Sequence, residues 1–483
     1  MNRFFQTIAL FVAIACFVWV GVLWHWQSTQ RDMSEEDIAV YLVALPLTLF
    51  ALVLLGRWAW RGAVRQAHER EAGAAAVPSP APTPTTPDEA ERRATLQLLA
   101  AHLNCPAGDS PAALLNAAEE GAPRPELDPV LRDDDGLPLM TARIRGLDPD
   151  ALDLDAAEET MRALQAAWQH EAMRPEMRRA LAALQLPLEN TLTTLRAWRE
   201  RFGLEDAPPE HVSQSMLRLL PLWPPTWTAY ETAVARLWLL AQLQAAELAG
   251  PHRIAELPLA PGGGWPEAER VVRTLERENR ADLLLVTACH SDIGDASVRR
   301  LQAEGRLFTS RSATRPIPGE AAAALVLAPT TWPAATDDEL PVHLHRAAVI
   351  ARDKSIDAGG RTSGEAAQTC VEQALASGPF APEAIAAAVH DADQHTPRAA
   401  EALTTLLNGL PHLLPADDVR QTGMLNGQAG VAAPLLVIAL AAHQAQRLGK
   451  PCLALSVDDM RLRLALIARP APFDPAAAPP AAA

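Results

Sequence analysis

Apolar and polar positions follow a regular order in the second half of the chain. Apolar runs of strand length, such as 281–288 (ADLLLVTA) and 321–328 (AAAALVLA), alternate with segments whose apolar residues recur every three or four positions. From Trp265 onward this order predicts strands at 282–287, 322–328, 345–351, 384–390, 452–457 and 463–468, and helices at 266–279, in the 290s and at 364–377, 397–407 and 427–448. Alternating strands and helices predict an α/β domain with helices on both faces of a sheet.

The segment before that domain has apolar residues mostly at helical spacing. It predicts one strand at 139–144 and helices at 88–104, 111–120, 152–184, 188–201 and 230–248, with Pro175 breaking the third of these. We therefore expect a mostly helical region over 93–258, followed by the α/β domain over 259–469.

The first 61 residues contain two long apolar runs, 4–24 and 38–56, each of which is long enough to cross a bilayer as a helix. The loop 27–37 between them has one arginine and four acids, whereas 57–70 has four arginines and one acid. Since positive charge remains on the cytoplasmic side, we predict a two-pass anchor in a bacterial inner membrane with the large C-terminal part in the cytoplasm.

Two segments have the composition of extended or disordered chain. The Pro/Ala-rich stretch 62–92 predicts a linker between the membrane and the remaining chain, because alternating prolines favour polyproline II. The alanine- and proline-rich residues 470–483 predict a disordered tail.

Charge and composition restrict the choice of partners and cofactors. The formal net charge of -16 disfavours binding to nucleic acid. The glycines 262–264 match no phosphate-binding motif, and we expect no cofactor. His290, Asp292 and Asp295 lack the spacing of a metal site, so we interpret the two acids as solvated loop residues and expect no metal. The scattered cysteines, without a paired spacing, favour a reducing compartment; they are Cys16, Cys105, Cys289, Cys370 and Cys452.

The region from about 259 to 468 resembles the thiolase-like fold of ketoacyl synthases. The resemblance depends on ADLLLVTACHSD, then VRRLQAEGRL, then PGEAAAALVLA within 281–328, and on the order of strands and helices from 345 to 468. It implies a layered α/β domain in which 345–468 forms one half and 281–328 the end of the other half. It also implies a homodimer as a possible assembly.

The residues that perform the chemistry of ketoacyl synthases are absent from the places where we expect them. The resemblance implies a cysteine nucleophile at a helix N-terminus, assisted by two histidines, or by a histidine and an asparagine, from the second half. The segment 216–248, where we expect the nucleophile, contains no cysteine, and 422–430 contains no histidine. We therefore predict no catalytic residue and a protein that binds rather than an enzyme.

An enzyme remains the alternative hypothesis. Cys289 follows a predicted strand within TACHS, which resembles a nucleophile turn, and His390 and His395 lie where a second-half histidine is expected. The alternative is therefore an acyl-transfer or condensing enzyme that uses Cys289 and His395.

The complete arrangement resembles the type VI secretion lipase adaptor family. The features that are similar are the Trp-rich anchor, the stretch 125–139 (PELDPVLRDDDGLPL) and the run within 281–328. The resemblance implies a membrane-anchored adaptor that binds a lipase effector in the cytoplasm and delivers it to a secretion spike protein. A structural subunit of an envelope complex is a further alternative.

Overall fold

The computed structural model describes residues 95–121, 125–201, 217–246, 254–256, 264–278, 280, 282–330, 332, 341–358, 364–379 and 381–471. The predicted membrane runs 4–24 and 38–56, the linker 62–92 and residues 472–483 of the tail lie outside the described residues.

Strands and helices alternate through most of the described chain. The strands are β1 Thr95–Asn104, β2 Glu126–Arg132, β3 Pro138–Thr141, β4 Leu217–Leu222, β5 Ile254–Glu256, β6 Leu283–Ser291, β7 Glu320–Ala328, β8 Val342–His345, β9 Ala348–Ala351, β10 Ala387–His390, β11 Val419–Gln421, β12 Cys452–Ser456 and β13 Leu462–Pro470. The helices are α1 Pro111–Glu120, α2 Asp155–Leu164, α3 Pro175–Arg201, α4 Ala229–Ala245, α5 Trp265–Arg277, α6 Asp295–Ala303, α7 Glu365–Ala376, α8 Thr396–Gly409, α9 Gly423–Asn426 and α10 Ala433–Leu448.

Two halves of the described chain repeat one strand order. The first half runs β1-β7-β6-β4-β5 and the second runs β8-β13-β12-β10-β11, and β1 pairs with β8 where they meet. In both halves the fourth strand pairs in parallel with the third and fifth, while the first two pairings are antiparallel. The repeat makes β6 equivalent to β12, and α5 equivalent to α10.

Strand β7 explains how the layers pack. All nine of its residues are buried, because it is covered on both faces. Side chains alternate along a strand, so Ala323 and Leu325 face the core that contains α5 and α10, whereas Ala324 and Val326 face the core that contains α3 and α4. Helix α10 contacts strands of both halves, and α7 and α8 cover the second half from its other side.

Most predicted elements from Trp265 onward are confirmed, with shifted ends. The largest difference there is at 427–448, where a glycine-rich turn replaces the first part of the predicted helix and α10 begins at Ala433. In the preceding region the prediction for 88–104 is wrong, because 95–104 forms β1 and not a helix. The two predicted helices 152–184 and 188–201 become α2 and one long α3 with Pro187 inside it.

One helical stretch among the described residues has the length and composition to cross a membrane. It is Gly430–Leu448, which includes α10, and 67% of its most apolar window is buried inside the fold. Its alanines and leucines pack against both halves, as expected for a core helix.

Candidate functional site

The end of β6 brings an imidazole and a carboxylate to the boundary between the two halves. His290 Nε2 lies 3.1 Å from Asp292 Oδ2, and Arg300 donates to Asp292 Oδ1 at 2.8 Å. Burial opposes a charge on His290, but the carboxylates of Asp292 and Asp458 outweigh it, so the pKa of His290 lies above its usual value. Burial is likewise outweighed by His290 and Arg300 at Asp292, whose pKa lies below its usual value.

The equivalent end of β12 is held by a buried carboxylate that follows β10. Asp391 accepts hydrogen bonds from the hydroxyl of Ser456, from the N–H of Val457 at 2.6 Å and from the N–H of Asp458 at 3.1 Å. These three contacts fix the turn after β12, and with it the position of Asp458.

A buried guanidinium completes this cluster. Arg398, in the first turn of α8, is 0% exposed, and its Nη1 lies 3.3 Å from Asp393 Oδ2 and 3.5 Å from Asp458 Oδ1. Its Nε and Nη2 are buried without a hydrogen-bond partner. Burial raises the pKa of Asp458 to about 7. The negative charges of Asp391 and Asp393 also raise it, and the positive charges of Arg398 and His290 only partly offset this rise.

The turn before α10 packs tightly against the turn before β7. A Cβ on Gly319 would lie 2.2 Å from the carbonyl oxygen of Asn426, and the N–H of Gln428 donates to Ile317 at 2.9 Å. Gly427 has φ +61°, a conformation that favours glycine. The turn formed by Pro318, Gly319 and Glu320 therefore packs between the two halves, and the residue of the second half that pairs with it is Gln428, not a histidine.

The repeated topology relocates the place where a nucleophile would lie. Because α5 is equivalent to α10, the position in the first half that matches the turn before α10 is the N-terminus of α5, which begins after Gly264. The segment 216–248, where we expected a nucleophile, contains β4 and α4 and has no cysteine. The sequence before α5 is Gly-Gly-Gly at 262–264, and no cysteine occurs between Cys105 and Cys289.

The two residues of the alternative hypothesis have separate surroundings. Cys289 lies inside β6, 0% exposed, paired with Ala322 and facing the α3 core, and burial raises the pKa of its thiol. His395 lies at the start of α8, where its Nε2 is 3.1 Å from Asp357 Oδ1. A thiolate nucleophile has to be ionised and accessible, and Cys289 is neither.

The structure also places His390, Asp292 and Asp295. His390 ends β10, and burial lowers its pKa to about 4, so its ring is neutral at pH 7. Asp292 is 3% exposed and paired, so the interpretation as a solvated loop acid is wrong for it, whereas Asp295 is exposed. Among the described residues there is no group of three or more His, Cys, Asp or Glu side chains placed to hold a metal ion.

The sequence analysis missed the residues that form the buried cluster. Their common feature is that they follow predicted strands, or begin the next helix, at the carboxyl edge of the sheet; they are Asp391, Asp393, Arg398 and Asp458. Acids directly after apolar strands could have indicated them, since ligands of α/β folds bind at that edge.

Two solved structures that resemble this chain are ketosynthases. The PfaC keto synthase–chain length factor has a TM-score of 0.52 and 11% identity over 78% of this chain and 43% of that chain. The ketosynthase from module 6 of the bacillaene synthase of Bacillus subtilis 168 has a TM-score of 0.51 and 11% identity over 78% of this chain and 72% of that chain. No protein-family model and no curated protein matches the sequence. At these identities the likeness shows a thiolase-like mixed α/β fold.

These structures overturn one prediction. We expected a protein that is not an enzyme, but the two structures above, both with TM-scores over 0.5, are ketosynthases, so the fold is one that condensing enzymes have. The missing cysteine at the start of α5 concerns the choice of nucleophile and does not change this fold assignment.

Proposed function

We propose that the chain is an acyl-transfer enzyme of the condensing-enzyme fold that works without a cysteine nucleophile. The observation that supports this is the His290–Asp292 pair at the boundary of the two halves, with Nε2 and Oδ2 3.1 Å apart. A histidine held by a carboxylate is the arrangement that general bases use in acyl transfer.

The roles follow from the ring atoms. A carboxylate only accepts hydrogen bonds, so Nε2 holds the proton and Nδ1 has the lone pair. The backbone of Gly430 packs against this side of the ring, since a Cβ on Gly430 would lie 2.5 Å from Nδ1.

The reaction transfers an acyl group from a thioester directly to the acceptor. His290 takes the proton of the acceptor's hydroxyl group or water while the acceptor's oxygen bonds to the carbonyl carbon of the thioester. The carbon–sulfur bond then breaks with its electron pair going to sulfur, and the leaving thiolate takes the proton from His290, which restores the base. Asp292 orients the ring and stabilises its charged form. Arg300 in turn orients Asp292 through a hydrogen bond of 2.8 Å.

Thioester turnover by the full chain in detergent tests this function. A panel of acyl thioesters, followed by release of free thiol, is compared between the wild type and His290→Ala, with Cys289→Ser as the matched control. We expect His290→Ala to lose about 100-fold or more of the turnover and Cys289→Ser to retain it. Absence of turnover in the wild type, or equal turnover in His290→Ala, contradicts the proposal.

The resemblance of the N-terminal part supports a second function, delivery of a lipase effector to a secretion spike at the inner membrane. The favouring observations are the two apolar runs 4–24 and 38–56, and the glycines at 262–264 where a thiol would be expected. The test is membrane fractionation followed by co-purification with a purified lipase and spike protein. Recovery of the chain in the soluble fraction, or no complex with either protein, contradicts it.

Sedimentation of the full chain in detergent tests whether it forms the homodimer that the resemblance implies.

A further inference from the structure

A cavity of about 310 Å³ lies beside one edge of β1. Strand β1 pairs with β7 along most of its length, but it pairs with β8 only from Thr95 to Leu98. Pro341 precedes β8 and has no N–H to donate, so this ladder ends at the pair of Leu98 and Val342. Among the described residues, β1 therefore has no partner strand on this side beyond Leu98, and the cavity follows that edge.

Helix α10 forms the opposite wall of the cavity. Ala439, Ala442 and His443 lie on one face of α10, because residues three and four positions apart on a helix are neighbours. The two alanines have short side chains, which leave space between α10 and β1. Ala439 lies about 9 Å along the helix from its start, whereas Gly430, which packs against His290, precedes that start. The cavity is therefore separate from the proposed base.

The lining of the cavity favours an apolar ligand without charge. Its apolar side chains include Leu98, Leu99 and Val342, and its polar side chains include His102 and His443. Among the described residues that line it, none is Asp, Glu, Lys or Arg. A charged ligand would lose hydration here without gaining a counter-ion, a cost in free energy that a neutral ligand avoids.

The two imidazole rings decide which polar group the ligand carries. The hydroxyl of Thr194 donates to the carbonyl oxygen of Asn190 at 3.0 Å, so its oxygen accepts the proton of His102 Nε2, 3.3 Å away. Burial lowers the pKa of His102, so the ring is neutral and the lone pair is on Nδ1. Burial and the charge of Arg447 also lower the pKa of His443, whose neutral ring provides one donor and one acceptor. A hydroxyl group matches both rings, since it donates and accepts hydrogen bonds.

The volume of the cavity sets the size of the ligand. At about 30 Å³ for each water-sized group, a cavity of 310 Å³ holds about ten non-hydrogen atoms. We propose that this cavity binds a neutral, mostly apolar alcohol of that size, with its hydroxyl group at His102 and its hydrocarbon part against Leu98 and Val342. This site takes no part in the proposed acyl transfer, so its test does not depend on turnover.

Equilibrium dialysis of the full chain in lipid nanodiscs tests the ligand class, with empty nanodiscs as the blank for uptake into lipid. The probes are 3-phenylpropan-1-ol, which has the expected size, and 3-phenylpropanoate, its charged counterpart. We expect one molecule of the alcohol to bind per chain with a Kd below about 1 mM, and the carboxylate to bind at least about tenfold more weakly. No saturable binding above the blank, or equal binding of the two probes, overturns the proposal.

Substitutions in the wall test the location of the bound alcohol. Ala439→Leu fills the space beside β1, so we expect it to weaken binding at least about tenfold. His102→Phe adds no volume to α10 and removes the acceptor Nδ1, so it should weaken binding about tenfold. The control is Ala303→Leu, the same enlargement at an exposed position of α6, which should keep the wild-type affinity. Wild-type affinity in either Ala439→Leu or His102→Phe would place the alcohol elsewhere in the chain and overturn this site.

Discussion

The α-carbon of Gly430 lies against the imidazole of His290, so a Cβ built on Gly430 would be 2.5 Å from Nδ1. Gly430 precedes α10 in the second half, and His290 ends β6 in the first half. This contact therefore brings the turn before α10 to the proposed base. It also explains the need for glycine, since φ is +52° at this position.

Gly430→Ala should therefore be more harmful than an ordinary glycine substitution. Gly449→Ala is the matched control, because Gly449 ends the same helix with φ +63° but has open space around its α-carbon. Backbone strain should cost about 1 kcal/mol of the free energy of unfolding in both variants. The clash with His290 should add about 1–3 kcal/mol in Gly430→Ala alone. Urea unfolding measures both, and equal losses would contradict the contact.

Removal of the Glu320 carboxylate should lower the free energy of unfolding strongly. It is fully buried and accepts hydrogen bonds from Arg179 at 2.6 and 2.9 Å, from the N–H of Ile144 at 2.8 Å and from Ser291 at 3.0 Å. Glu320→Ala leaves a buried guanidinium unpaired, so we expect the free energy of unfolding to fall by about 3–5 kcal/mol.

The control for this variant is Glu304→Ala. The carboxylate of Glu304 is 42% exposed in its ion pair with Arg306, so its removal should change the free energy of unfolding by less than about 1 kcal/mol. Similar effects of the two substitutions in urea unfolding would argue against the buried network.

Stability should fall with rising pH because of Glu269. Burial raises the pKa of this carboxyl group from 4.5 to about 7, although Trp265 and the N–H of Ala347 donate to it. The folded state binds the proton more tightly than the unfolded state, so this contribution is complete below pH 4.5 and is lost as pH rises through 7. The shift corresponds to about 3 kcal/mol.

Glu269→Gln should remove this dependence, since the amide is neutral and keeps an acceptor oxygen. Relative to the wild type, the variant should gain about 3 kcal/mol of unfolding free energy between pH 4.5 and 7.5. Glu267→Gln in the same helix is the control, because Arg270 lowers the pKa of Glu267. If the two variants have the same pH dependence in urea unfolding, the assignment to Glu269 is wrong.

Asp292→Asn should change the pH profile of turnover. The carboxylate raises the pKa of His290, so its loss should move the acid limb of kcat/KM to lower pH. Turnover should also fall, because an amide can donate to Nε2 and favour the wrong tautomer. Asp295→Asn, an exposed acid three residues away, is the control. An NMR titration of the His290 ring checks the shift without an activity assay, and an unchanged ring pKa would contradict the pairing.

The sequence predicted the α/β alternation after Trp265 because those strands are buried on both faces and consist of continuous apolar residues. It failed at β1, TLQLLAAHLN, whose leucines and alanines favour a helix. Pairing with β7 and β8 outweighs that local preference. Strand β4 was missed because Pro221 argues against a strand, yet Pro221 pairs with Thr287 beyond the part of β4 that pairs with β5.

The candidate site was less predictable than the fold. His290 was visible beside a strand, but its neighbours Asp458 and Gly430 are more than a hundred residues away and arrive through the repeated topology. Burial of Asp292 and Arg398 depends on the packing of both halves, and a single sequence does not give it. The place of a nucleophile at the start of α5 became clear only from the equivalence of α5 and α10.

Alkylation of thiols tests most directly whether acyl transfer proceeds here without cysteine. The four described cysteines are buried, so iodoacetamide should label none of them in the folded chain and all of them after unfolding. We predict that the folded chain, once treated with excess iodoacetamide, retains its full thioester turnover. Loss of turnover together with a label on any of these cysteines would contradict the account.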